Sequence, residues 1–261
     1  MDLGLTNKTA LVLGSSRGLG LGVASALAAE GAQVVLCGRN EERTRAAAEA
    51  IVAAGGRAVA VTVDLADPNA AAQLGAAMER LGLTVDVLVL NSGGPPPGSV
   101  LGVEPGTWTA QFGAMVQRLI EIAGVFVPGM RARGWGRVLT IASSGVVQPI
   151  PNLGISNTLR AALVGWSKTL AAEVAPDGVT VNTIVPGRIH TERVDELDAA
   201  AAKRTGKTAE EMAAQSRATI PVGRYGKVEE LAAVAAFLAG EPAAYVTGSV
   251  VRVDGGMIRS V

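Results

Sequence analysis

Short apolar runs alternate along this chain with longer, alanine-rich stretches in which apolar positions recur every three or four residues. The short runs predict strands at 9–13, 33–37, 58–63, 85–90, 137–141, 179–184 and 250–253. Several are apolar at consecutive positions, as expected of parallel strands covered on both faces. The longer stretches predict helices over 18–30, 41–54, 68–81, 105–133, 153–174 and 228–238. Strand-helix alternation of this kind builds an α/β fold: seven parallel strands in one doubly wound sheet, helices on both faces, joined by right-handed crossovers. No linker and no internal repeat interrupts the pattern, so residues 1–261 form a single domain.

One segment breaks the alternation. From about 188 to 226, between Gly187 and Gly226, no strand is predicted, and Thr191 to Arg217 is polar and alanine-rich. Ligands of open α/β sheets sit outside the carboxyl ends of the strands, and an insertion after the sixth strand overhangs that place. It is either a helical excursion on the surface or a lid over a substrate pocket, and the lid is the expectation.

Composition narrows the function. Apolar residues make up 49% and charged residues 18%, which supplies a large core, and the 33 glycines and 12 prolines lie between apolar segments rather than in a disordered tract. Basic and acidic residues balance at 23 each with no basic block, so nucleic acid is not an expected partner. With one cysteine (Cys37) and one histidine (His190) there is no intrachain disulfide and no metal-ligand cluster. Residues 1–8 lack the basic-then-apolar layout of a secretory signal, and no apolar run approaches the ~20 residues of a bilayer span. The expectation is a soluble, cytoplasmic protein acting on a small molecule, with no membrane partner.

The first strand runs into Gly14-Ser15-Ser16-Arg17-Gly18-Leu19-Gly20, where a helix begins. Glycines in that context permit a tight turn and let a pyrophosphate approach backbone amides at a helix N-terminus, although a purely structural turn would use the same residues. The second strand ends in Cys37-Gly38-Arg39-Asn40, where an NAD site usually places an acidic residue on the ribose hydroxyls. Here there is an arginine instead, with a second, Arg17, in the glycine loop. Unless both are simply solvated, two guanidinium groups suit a ribose 2′-phosphate, and NADP(H) is preferred over NAD(H).

Further motifs follow in order: Val63-Asp64-Leu65, Asn91-Ser92-Gly93-Gly94, Ser143-Ser144-Gly145, Val181-Asn182-Thr183-Ile184-Val185-Pro186-Gly187 with Ile189 and Thr191, Tyr245-Val246-Thr247-Gly248, and Val253-Asp254-Gly255-Gly256. With the glycine loop they cover essentially the whole chain. The chain resembles the short-chain dehydrogenase/reductase family, and is most similar to bacterial 3-oxoacyl-acyl-carrier-protein reductase-like proteins. The resemblance implies a Rossmann-type fold. It also implies that Gly14, Ser16, Arg17, Gly18, Leu19 and Gly20 meet the pyrophosphate and ribose, Arg39 the 2′-phosphate, Asp64 and Leu65 the adenine, and Asn91, Ser92 and Gly93 the adenosine ribose region. Pro186, Gly187, Ile189 and Thr191 would hold the nicotinamide side. A homotetramer or dimer is implied, with Ala161, Ala162, Leu163 and Trp166 either in that contact or packed inside the monomer.

The catalytic set departs from the family's. Members of the family use an asparagine, serine, tyrosine and lysine. The serine is Ser143 here, but the tyrosine position thirteen residues on is Ser156, the lysine position four beyond is Arg160, and the asparagine position falls on Met115. A phenol titrates near ~10 and an adjacent cation brings it toward neutrality, whereas an aliphatic hydroxyl starts far higher. Ser156 is thus a hydrogen-bond donor and a poor proton reservoir, and an arginine does not relay protons. His190 is an alternative acid beside the nicotinamide stretch, but a solvent-facing loop histidine is the simpler reading. The sequence therefore favours an NADP(H)-dependent oxidoreductase reducing a carbonyl, enone or imine by an atypical proton route, with Ser143, Ser156 and Arg160 stabilising charge. Two alternatives stay open: a catalytically silent NADP(H)-binding sensor, and a non-redox enzyme on the same scaffold. The prolines of 95–97 and 149–151 either wall an apolar pocket or only stiffen loops.

Overall fold

The computed structural model describes residues 1–260. Strands β1 (Thr9–Val12), β2 (Gln33–Gly38), β3 (Arg57–Thr62), β4 (Val87–Leu90), β5 (Gly136–Ile141), β6 (Val179–Pro186) and β7 (Val250–Val253) form one sheet in the order β3-β2-β1-β4-β5-β6-β7. Every neighbouring pair is parallel. The order reverses between β1 and β4, and a crevice opens beyond their carboxyl ends.

Strand alternation supplies two apolar layers. Ala10 and Val12 of β1, with Val34 and Leu36 of β2, face one core; Leu11 and Val35 face the other, and all are fully buried. Each such burial contributes about 1.5–3 kcal/mol for a large aliphatic side chain, which is why both faces are apolar. The first core is closed by α1 (Gly18–Ala29), α2 (Glu41–Ala53) and α9 (Val228–Ala239). The second is closed by α3 (Ala70–Leu81), α5 (Arg118–Ala132) and α6 (Gly154–Val174). Helix ends carry local signals: the Asn40 side chain accepts from the Arg43 amide at 2.8 Å to start α2, and Gly82, at φ 63°, ends α3.

The helix expected over 105–133 divides. After α4 (Pro105–Phe112), a π-helical turn over Gly113–Gln117 precedes α5. One extra residue in a turn barely disturbs an apolar repeat, so the periodicity conceals it. The combined run Pro105–Ala132, 28 residues long, includes an 18-residue window of mean hydropathy 1.2, which by length and composition alone resembles a membrane span. Its inner face, including Leu119, Ile122 and Met130, packs in the second core, and Arg118 and Glu121 interrupt it. The segment between β6 and α9 folds as α7 (Glu192–Thr205) and α8 (Ala209–Ala218), and the first turns of α7 line the crevice. Of the four residues left undecided between a subunit contact and the interior, Leu163 is core, Trp166 is partly buried against the second core, and Ala161 and Ala162 are exposed.

Candidate active site

The crevice encloses about 1540 Å³, above the ~300–1,000 Å³ of sites for drug-sized ligands. Every site residue predicted from the sequence lines it except Gly20, which packs beneath its floor.

The glycine loop is built by close approach. Ser15 ties it to both neighbouring strands: its Oγ donates to the Val12 carbonyl at 2.6 Å and accepts from the Cys37 amide at 2.9 Å. Gly14 adopts φ 57°, and a Cβ at Gly20 would lie 2.3 Å from the Gly14 carbonyl oxygen, so neither position tolerates a side chain. Asn91, at the end of β4, donates through Nδ2 to the carbonyls of Leu13 and Gly14 at 3.2 and 3.1 Å. Asn91 therefore shapes the loop from below. Helix α1 begins without a side-chain cap and without an acidic residue in its first turn, which leaves its first amides to an anion.

At the end of β2, Arg39 lines the crevice and makes no ion pair among the described residues, and no acid stands at the ribose position. Arg17 also lines the crevice, but its guanidinium pairs with Glu192 at the start of α7, joining the glycine loop to that helix. Asp64 and Leu65 follow β3 on the same rim. These features fit NADP(H), with Arg39 as the arginine free to meet a 2′-phosphate. Cys37 is buried beneath the rim, and burial pushes its thiol up to about 12.

At the other end, Ser143, Ser156 and Arg160 converge from β5 and α6. Ser143 follows β5 in an extended conformation, and its Oγ accepts from the Gly145 amide at 3.2 Å. Ser156 lies in the first turn of α6, 9% exposed. Arg160, one turn later and 8% exposed, donates through Nη1 to the Ile141 carbonyl at 2.9 Å and through Nη2 to the carbonyls of Ser92 and Gly93 at 3.3 and 3.4 Å. It fastens the end of β4 to the end of β5. Burial, reinforced by Arg193 nearby, lowers its pKa to about 10, so it stays cationic at neutral pH. No acid lies within ion-pair distance of it among the described residues. Met115 reaches the crevice from the π-helical turn with its side chain buried.

His190 does not join this group. Its side chain is 65% exposed, 3.2 Å from Asp195 and stacked on Tyr225 at 6.3 Å. Tyr225, remote in sequence, lies against α7 and α8 and donates to Asp198 Oδ2 at 2.6 Å, but it does not line the crevice. Burial and the Asp198 carboxylate raise its pKa, making the phenol a weaker acid.

Two proline-containing loops wall the reacting end. Gly98 donates its amide to Asn152 at 2.8 Å and accepts from the Gly154 amide at 3.1 Å, while the Asn157 side chain grips both backbone groups of Ile150. Ile150 and Leu153 present apolar surface to the crevice. Helix α7 adds Arg193, a lining residue that the sequence reading did not single out. Its Nη2 donates to the Pro95 carbonyl at 2.7 Å. Its only signal in the sequence was membership of the overhanging segment.

The family described as Enoyl-(Acyl carrier protein) reductase matches residues 14–258. The chain is 37% identical to the short-chain reductase protein NovJ of Streptomyces niveus, over 95% of this chain and 92% of that protein. It is 32% identical to the 3-oxoacyl-[acyl-carrier-protein] reductase FabG of Escherichia coli (strain K12), over 96% of this chain and 97% of the relative. Among solved structures, L-sorbose reductase from Gluconobacter frateurii, complexed with NADPH and L-sorbose, superposes with a TM-score of 0.94 at 35% identity, covering 100% of both chains.

Proposed function

Because the chain belongs to the short-chain dehydrogenase/reductase family, we propose that it is an NADP(H)-dependent oxidoreductase that reduces a carbonyl (a 3-oxoacyl group among the options), an enone or an imine by a proton route that needs no phenol. The convergence of Ser143, Ser156 and Arg160 on one end of the crevice carries this reading. NADPH bound along the glycine loop would supply hydride. The uncapped start of α1 and the unpaired Arg39 support that nucleotide, as does NADPH in the sorbose reductase complex.

The chain's own groups then divide the remaining work. The Ser143 hydroxyl accepts from Gly145, which leaves its proton to donate toward a substrate oxygen gaining charge, and Ser156 offers a second hydroxyl. Arg160 commits its N–H groups to three carbonyls, so it serves as a fixed positive charge and not as a proton donor. Aliphatic hydroxyls hold their protons at neutral pH, and the proton arrives from water or from the substrate itself. A substrate with its own acidic proton, or one that needs only hydride, suits the site best.

Single-turnover decay of NADPH absorbance, measured against a panel of ketones, enones and imines, tests this reading. Substrate-dependent decay that Ser143→Ala and Ser156→Ala reduce, with NADPH affinity retained, supports it. Tight NADPH binding with no decay across the panel instead favours a silent nucleotide-binding protein, the reading that the engagement of Arg160 by three backbone carbonyls supports. Exposed Ala161 and Ala162 on α6, with Phe112 and Val125 on α4 and α5, suit a dimer or tetramer contact, which sedimentation velocity would detect.

A further inference from the structure

Two guanidinium groups hold the same short run of backbone from opposite ends. Arg160 donates to the carbonyls of Ser92 and Gly93, and Arg193 donates to that of Pro95. A Cβ on Gly94, between them, would stand 3.5 Å from the Arg193 Nε and Nη2. Both side chains line the crevice at its reacting end. Their charges are unequally compensated. Arg193 has Glu196 at 3.2 Å on its half-exposed side, whereas Arg160 is buried, and no acid pairs with it among the described residues. The two cations are close enough for Arg193 to help depress the Arg160 pKa. Buried cations are ordinarily paired, and like charges brought together disfavour one another. Of the other acids lining the crevice, Glu192 is taken by Arg17, Asp64 follows β3, and Glu30 and Glu229 stand at the end of α1 and the start of α9. Positive charge therefore collects where a substrate would sit, between an apolar wall of Ile150 and Leu153 and the lid.

We propose that the substrate is an anion, with a carboxylate seated against Arg193 of the lid and facing Arg160, and an apolar body on the Ile150–Leu153 wall. Arg193 is the residue that selects for the acid over its neutral analogue. Its guanidinium matches a carboxylate bidentately, and its contact with Pro95 fixes it in place before binding. The proposal rests on the reductase reading only for calling the ligand a substrate.

The test separates the two. The NADPH complex of the full chain is titrated calorimetrically with phenylacetate, 3-phenylpropanoate and 4-phenylbutanoate, and with the amide of each. None of these needs to react. At least one acid should bind about ten- to a hundred-fold more tightly than its amide, the range for a hydrogen bond to a charged group. Arg193→Gln should abolish that preference and Arg193→Lys retain part of it, with NADPH affinity unchanged in both. Equal affinity for acids and amides, no binding of any acid, or a preference that survives in Arg193→Gln overturns the anion site. An acid preference without turnover of any 2-oxo acid would leave the anion site standing and count against the reductase; turnover of neutral ketones with no acid preference would do the reverse.

Discussion

Replacing Arg160 by methionine removes a buried charge while keeping most of the side-chain volume, and the structure sets the size of the outcome. The fall of its pKa to about 10 corresponds to roughly 3 kcal/mol of penalty on the charged form at neutral pH. The sign follows from the unfolded chain binding this proton more tightly: the penalty is fully present below about pH 10 and lifts only as pH rises beyond it. Against it stand one well-formed hydrogen bond at 2.9 Å and two long ones at 3.3 and 3.4 Å. Bonds to charged groups contribute about 1.5–3 kcal/mol each at good geometry, so the three together are of similar size to the penalty. Arg160→Met should lie within about 1–2 kcal/mol of the parent, because the charge penalty removed is of similar size to the hydrogen bonds lost. Arg160→Ala leaves a cavity as well and should fall a further 2–4 kcal/mol or so. Urea unfolding of all three proteins, followed by far-ultraviolet circular dichroism at one fixed concentration, measures the difference. Equal losses of more than about 4 kcal/mol in both variants would refute the balance, because the clamp on the three carbonyls would then outweigh the burial of charge.

Four further outcomes are expected. Arg39→Ala should weaken NADPH binding about ten-fold or more and leave NADH binding unchanged, by fluorescence titration, if Arg39 meets the 2′-phosphate; equal effects on both nucleotides would count against that assignment. Gly20→Ala should sharply reduce NADPH affinity, since its Cβ would stand 2.3 Å from the Gly14 carbonyl oxygen, and unaltered affinity in calorimetry would show that the loop shifts freely. The Cys37 thiol, buried and raised to about 12, should stay unreactive toward a thiol-labelling disulfide at pH 8 and react on unfolding; rapid labelling of the native protein would contradict its burial. Glu230, lowered to about 2 by its hydrogen bonds with Arg224 and the Lys227 amide, adds stability above the ordinary glutamate range that fades as pH falls toward 2. The difference in melting temperature between the parent and Glu230→Gln should accordingly shrink through that window, and a constant difference would argue against it.

Strands and cofactor loop were legible because their signals are local. An apolar run buried on both faces has few alternatives, and Gly14 and Gly20 are dictated by atoms within a few ångströms. What escaped the sequence depends on neighbours distant along the chain. Arg17 was read beside the ribose but reaches 175 residues onward to Glu192. Arg160 was read as a group facing the ligand, but it spends its donors on carbonyls of β5 and of the loop after β4, 19 and about 68 residues away. Arg193 carried no motif at all. The π-helical turn that brings Met115 to the crevice left the apolar rhythm of its helix nearly unchanged. The positions 156 and 160 were legible only through the family resemblance, and both residues line the crevice from α6.

The lacing of Gly98 to Asn152 and Gly154 uses main-chain amides and carbonyls only. Apart from Asn152, held at φ 63°, the side chains of these two loops are not needed to keep the loops joined. Selection can therefore rewrite the surface that meets the ligand while the seam behind it stays intact. On such a frame, a side chain such as Ile150, whose backbone Asn157 holds at both its N–H and its C=O, can be exchanged to reach a new specificity without rebuilding the main chain that carries it.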